Sequence, residues 1–169
     1  MKKLIISLMF LSLLRADILN EFLNKNYQKV CSYKNIKSFA NDDKILSIIG
    51  LSCLKIDNLY MLPYIFNRLK HTPDGRKNGI YFITIYTQKK LLYSYFFDKF
   101  PLNSFSLPQT DYILSKVFWA IKNHNYTKEG NKYVIKDNNK TLYVYKGKDN
   151  FFVVDEYSGG KLIKRHWYR

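Results

Sequence analysis

The sequence predicts an α+β chain: N-terminal helical hairpins followed by a small C-terminal antiparallel β-meander. Three observations carry this. Apolar residues recur at three- and four-residue spacing as far as Ile121. After Tyr126 the period changes to alternation. Segments rich in Asn, Asp and Gly then separate the alternating runs, as hairpin turns require. The length, 169 residues, suits one domain or two small ones, and an apolar fraction of 47% excludes wholesale disorder.

The first element is read as a targeting segment. Lys2 and Lys3 precede an uncharged run from Leu4 to Leu14, and Arg15-Ala16 lead into the polar Asp17. A basic start, a short apolar stretch and a small residue at the cut form the pattern of a secretory signal peptide. Residues 1–16 are therefore expected to be cleaved off near Ala16; the alternative is an uncleaved anchor or a buried N-terminal helix. The run is short for a membrane span, and no later segment is apolar enough to cross. A soluble periplasmic chain without an integral membrane segment is expected.

Asp17 is placed as the cap of a short helix bearing Ile18, Leu19, Phe22 and Leu23. Asn26 to Lys37 reads as one weakly amphipathic segment. Asn41-Asp42-Asp43 starts a central helix that is apolar almost all round, and Asp57-Asn58 breaks it. Leu59 to Lys70 is expected to be helical, with Pro63 in its first turns. His71-Thr72-Pro73-Asp74-Gly75 reads as a loop. Residues 78–100 contain β-formers in Ile80 to Tyr86, yet one long helix ended by Pro101 is favoured. Thr110 is placed as the cap of a helix with Ile113, Leu114, Val117, Phe118 and Ile121 as its stripe. Lys132 to Lys136, Leu142 to Tyr145, Phe151 to Val154 and Leu162 to Tyr168 read as four strands. The expected organisation is a helical part over 17–125 and a meander over 126–169 packed on the helices.

Lys and Arg number 28 against 13 Asp and Glu, a formal charge of +15. With 15 Tyr and 12 Phe this invites a nucleic-acid reading. Export weakens it: without Lys2, Lys3 and Arg15 the charge falls to +12, in a compartment poor in nucleic acid. Lys outnumbers Arg 23 to 5, whereas bidentate phosphate readers favour Arg. Asn, Ile, Tyr and Phe share AT-rich codons with Lys, so genome composition accounts for much of the charge. No nucleic-acid partner is expected.

Cys31 and Cys53 are the only cysteines, and in an oxidising compartment they are candidates for a disulfide; the alternative is two buried thiols. Asp137-Asn138-Asn139-Lys140-Thr141 resembles the extended acceptor sequence of bacterial N-linked glycosylation, which makes Asn139, with Asp137 and Thr141, a modification candidate. The same residues are also ordinary turn chemistry. Lys161, Lys164, Arg165, Trp167, Tyr168 and Arg169 form a basic, aromatic run that suits an anionic surface or sugar rings; an edge strand protected by charge is the other reading. No nucleophile elbow, phosphate-cradling glycine loop or paired metal ligands occur, so no catalytic residue, metal or cofactor is nominated.

Leu46, Ile49, Gly50 and Cys53, followed by Leu62, Phe66 and Leu69, resemble one tetratricopeptide repeat, in which large and small residues let paired helices pack closely. That resemblance implies a binding scaffold without catalytic chemistry. A wider pattern comprises Gly50-x-x-Cys53-x-x-x-Asp57, Gln88-Lys89-Lys90-Leu91-Leu92, Leu107-Pro108-x-x-Asp111-x-x-Leu114-Ser115-x-x-Phe118 and His166-Trp167-Tyr168-Arg169. It resembles small periplasmic proteins of AT-rich, polarly flagellated bacteria, some of which belong to the periplasmic disks around the flagellar motor. The resemblance implies a structural role. The expected function is thus a non-catalytic periplasmic interaction protein with other envelope proteins as partners. A binding module for an anionic envelope glycan or polymer is the alternative, and a periplasmic enzyme ranks third.

Overall fold

The computed structural model describes residues 15–169, so the expected signal peptide falls almost wholly outside the described residues. Two compact units are distinguished, one running through Ile83 and one spanning Thr84–Arg169. The change from helix to strand lies inside the second unit. The class is α+β, with a C-terminal meander. Among the described residues no helix is long and apolar enough to cross a membrane.

The first unit opens with helical residues 15–23 (α1). Asp17 lies inside this helix rather than at its cap, and Arg15 pairs with Asp42 at 2.7 Å. The single segment expected over Asn26 to Lys37 is instead two helices, α2 (Tyr27–Val30) and α3 (Tyr33–Ser38). Ser32 separates them because its hydroxyl accepts the Asn35 N–H. The Asn35 side chain in turn donates to the Lys29 and Val30 carbonyls, satisfying the end of α2.

Helix α4 (Asp43–Lys55) is capped by Asp42, which accepts the Ile45 N–H at 3.2 Å. It is the central helix, with Leu46, Ile49 and Cys53 fully buried. Leu59 to Lys70 is less helical than expected: a 3₁₀ turn (Leu59–Met61) leads into a short α5 (Leu62–Phe66), with Pro63 in its first turn. Beyond it the chain is drawn to Asp43, whose carboxylate accepts the Thr72 N–H and hydroxyl at 2.6 and 2.9 Å. The Thr72 hydroxyl accepts the Gly75 N–H, which makes it the start of a helix. Residues 73–75, expected as a loop, are therefore the first turn of α6 (Pro73–Asp98), with proline where a missing donor costs least. The whole of 78–98 is helical, and Ile80 to Tyr86 do not form a strand. Gly50 marks a close approach of α4 and α6: an added Cβ there would lie 2.4 Å from the Phe82 ring.

The second unit holds the rest of α6, α7 (Ile113–Lys122) and the sheet. The residue capping α7 is Tyr112, not Thr110; the Thr110 N–H instead donates to the Ser115 hydroxyl. The amide of fully buried Gln88 donates to the Pro108 carbonyl at 3.2 Å and to Ser115 at 3.1 Å. Two of the sequence motifs, Gln88 to Leu92 and Leu107 to Phe118, thus meet in one buried polar cluster. The sheet has five strands rather than four: β1 (Thr127–Glu129), β2 (Lys132–Asp137), β3 (Lys140–Lys146), β4 (Phe152–Ser158) and β5 (Lys161–Tyr168), antiparallel in sequence order. Strand β1 escapes sequence reading because its three residues, Thr-Lys-Glu, are all exposed.

One face of the sheet is covered. Ile135, Leu142, Val144, Phe152, Val154 and Tyr168 are buried on it. Phe96 of α6 stacks on Phe152 at 5.4 Å and meets Tyr133 edge-on at 5.5 Å. Lys116 of α7 pairs with Asp137.

Candidate functional site

The opposite sheet face carries a different set of residues. Strand register aligns them in three rows across the sheet. Tyr145, Val153 and Trp167 form one row; Val134, Tyr143, Asp155 and Arg165 form the second; Lys136, Thr141 and Tyr157 form the third. Lys132 joins the first row, its ammonium 5.2 Å from the Tyr145 ring and 5.8 Å from that of Tyr143. Tyr143 and Tyr157 touch edge-to-face at 5.3 Å. Trp167 is 47% exposed, with Arg165 over its ring at 5.9 Å. The surface is an aromatic platform edged by cations. A depression of about 520 Å³ opens on it, lined in part by Lys132, Lys136, Tyr143 and Tyr157.

Asp155 is the only carboxylate among the residues lining that depression, and it is neutralised from within the sheet. The Arg165 guanidinium donates to both its oxygens, at 2.6 and 2.8 Å, and the Tyr145 hydroxyl donates at 3.0 Å. Burial alone would raise the pKa of Asp155. The hydrogen bonds from Arg165 and Tyr145, with the nearby charges of Arg165 and Lys132, outweigh burial and hold it below the usual carboxylate range. Burial, then the hydrogen bond to Asp155, pushes the Tyr145 phenol up, so it stays a neutral donor. The arrangement fixes Tyr145 and Arg165 beside Trp167 and leaves Lys132 and Lys136 exposed, outside any ion pair of the described residues.

The structure divides the basic, aromatic run of the C-terminus. Arg165 and Trp167 belong to the platform, and Arg165 is committed to Asp155. Lys161 and Lys164 flank the bulge at Glu156 and Tyr157. Arg169 lies over the Phe151 ring at 5.8 Å. Tyr168 is only 2% exposed, on the covered face, with its hydroxyl 3.2 Å from that of Tyr112. Alternation along β5 therefore turns Tyr168 away from Trp167. Asn139 is exposed in the β2–β3 turn and lines the same depression as Tyr143 and Tyr157, whereas Asp137 is held by Lys116. The sulfurs of Cys31 and Cys53 lie at bonding distance, 2.07 Å, with Cα atoms 5.0 Å apart.

Sequence reading missed Tyr143, Tyr145, Tyr157, Lys132 and Lys136. The available signal was the off-beat of β3, where Tyr143 and Tyr145 alternate with the buried Leu142 and Val144. Among the described residues no group of His, Cys, Asp and Glu is placed to hold a metal ion. Outside the platform, Lys89 is 1% exposed, and burial, then the charge of Lys90, lowers its ammonium to about 8. Compared with family models, with curated proteins and with solved structures, the chain matches none.

Proposed function

We propose that this chain is a non-catalytic periplasmic binding protein that holds an anionic envelope polymer, such as a uronate-bearing glycan, on the open face of its sheet. The observation that carries the proposal is the pairing of outward aromatic rings, Tyr143, Tyr157 and Trp167, with exposed cations, Lys132 and Lys136. Flat aromatic faces bury the apolar faces of sugar rings, and the flanking ammonium groups attract carboxylates. The disulfide-distance cysteine pair agrees with an oxidising compartment.

A second reading has its own observation. Tyr33 and Tyr64 are 50% and 47% exposed and pack edge-to-face at 5.3 Å, with Tyr60 also exposed on the first unit. Exposed aromatic clusters of this kind favour protein docking. On this reading α4 and α5 act as a tetratricopeptide-like hairpin within an envelope assembly, the flagellar-motor scaffold among the candidates.

One experiment separates the two. Wild-type protein, Trp167→Ala/Tyr157→Ala and Tyr33→Ser/Tyr64→Ser are tested for co-sedimentation with polygalacturonate and for cross-linked partners in envelope extracts. Polymer binding is expected to weaken about tenfold or more in the first variant only, and to fall with added salt. Equal binding to neutral dextran, or full binding by the first variant, overturns the polymer reading. A defined partner lost only in the second variant establishes the docking reading in its place.

A further inference from the structure

On the covered side of the same sheet, away from the platform, lies a second cavity of about 460 Å³. Its size is within the range of small-molecule sites. Three lysines from separate elements line it: Lys99 just beyond α6, Lys128 on β1 and Lys146 on β3. Among the described residues no carboxylate lines it, and none of the three ammonium groups forms an ion pair. Tyr95, Phe96 and Tyr133 supply an aromatic wall.

This juxtaposition needs an explanation. Like charges brought together without a counter-charge repel, and a fold gains nothing from gathering them unless an anion joins them. The cations are also positioned. Lys128 stands 5.1 Å from the Tyr133 ring, and Lys146 stands 5.2 Å from that of Phe97. Tyr95 meets Tyr133 edge-to-face at 6.2 Å, and burial, then Tyr133, raises its phenol well above the ordinary value. Its hydroxyl is therefore a permanent neutral donor. Beside Tyr133, edge-to-face rings of Phe96 at 5.5 Å and Tyr126 at 4.9 Å fix the wall.

We propose that this cavity binds a phosphate monoester carried on a single ring, the ester between Lys99, Lys128 and Lys146 and the ring against Tyr95, Phe96 and Tyr133. The anion supplies the missing counter-charge, and the ring uses the aromatic wall that a bare ion would leave wet. Glucose 6-phosphate and phenyl phosphate represent the two kinds of ring. This site is separate from the polymer platform and stands or falls independently of it.

The test is isothermal titration of the full chain with glucose 6-phosphate, phenyl phosphate, glucose, phenol and inorganic phosphate. Wild-type protein, Lys128→Gln/Lys146→Gln and Trp167→Ala are compared after circular dichroism has verified their folding. At least one ester is expected to bind saturably and more tightly than inorganic phosphate. Its Kd should rise about tenfold or more in the lysine variant and stay unchanged in Trp167→Ala. Tyr133→Leu, which keeps all three cations, should weaken the ester but leave inorganic phosphate unaffected. The proposal is overturned if neither ester saturates by about 10 mM, a Kd already too weak for a specific site. It is equally overturned if inorganic phosphate binds as tightly as both esters, or if the lysine variant binds like wild type.

Discussion

Opening the Cys31–Cys53 link should destabilise the chain by about 3 kcal/mol, and the figure follows from topology. The cysteines are 22 residues apart, one at the end of α2 and the other near the end of α4. A cross-link closing such a loop removes chain entropy from the unfolded state worth about 3 kcal/mol at 25 °C. Cys53 is fully buried and Cys31 is 6% exposed, so reduction leaves two thiols in place and opens no large cavity. Chain entropy should therefore dominate the loss. For a chain of this size about 1 kcal/mol moves Tm by 2–4 °C, which gives a fall of about 6–12 °C. The assay compares thermal melts of oxidised protein with protein unfolded and refolded in reductant, both followed by circular dichroism at 222 nm, a helix-sensitive wavelength. Coincident melts would refute the entropic reasoning. Alkylation supplies the cellular arm: protein recovered from cells without reductant should present no free thiol, and two alkylated cysteines would refute both the bond and the oxidising compartment proposed from it.

Two further predictions concern the interior. Gly50→Ala puts a methyl 2.4 Å from the Phe82 ring, an overlap costing about 1–3 kcal/mol, partly offset by about 1 kcal/mol of helix propensity. A lower urea midpoint is expected, with recovery in Gly50→Ala/Phe82→Leu; a more stable single variant would contradict the close approach. The second concerns acid. Asp155 and Asp43 are both held below the ordinary carboxylate range, in each case because hydrogen bonds outweigh burial. A carboxyl whose folded value lies below its unfolded value near 4 contributes stability above that value and loses it as pH falls through the folded one. The urea midpoint should therefore drop steeply below about pH 4, and less steeply in Asp155→Asn. An unchanged acid limb in that variant would show that Asp155 carries none of it.

The helices legible in the sequence were those with a strong local device. Asp42 before an apolar run starts α4, and the absence of breakers between Gly79 and Pro101 yields a single helix. What local pattern missed was decided by partners distant in sequence. Residues 73–75 became helix because Asp43, some 30 positions earlier, fixes Thr72 as the cap. Thr110 does not cap because α7 starts only at Ile113; the Thr110 N–H donates to the Ser115 hydroxyl, inside the first turn of the helix. In β1 three polar residues are ordered by pairing with β2 rather than by any preference of their own.

The site was less legible than the fold, for a related reason. Alternation in β3 announces two faces, Leu142 and Val144 on one, Tyr143 and Tyr145 on the other, but both sets contain apolar surface. Which face is covered depends on where α6 and α7 pack. Phe96 on Phe152 and Lys116 on Asp137 settle it, so the tyrosines become the open face. The same geometry splits neighbours that looked equivalent in the sequence: Trp167 faces solvent and Tyr168 the core. It also changes what the positive charge means. Arg165 is spent on Asp155, whereas Lys132 and Lys136 on one side of the sheet, and Lys99, Lys128 and Lys146 on the other, keep theirs beside aromatic rings. The count of 23 lysines does not by itself account for these five standing beside aromatic rings and outside any ion pair of the described residues.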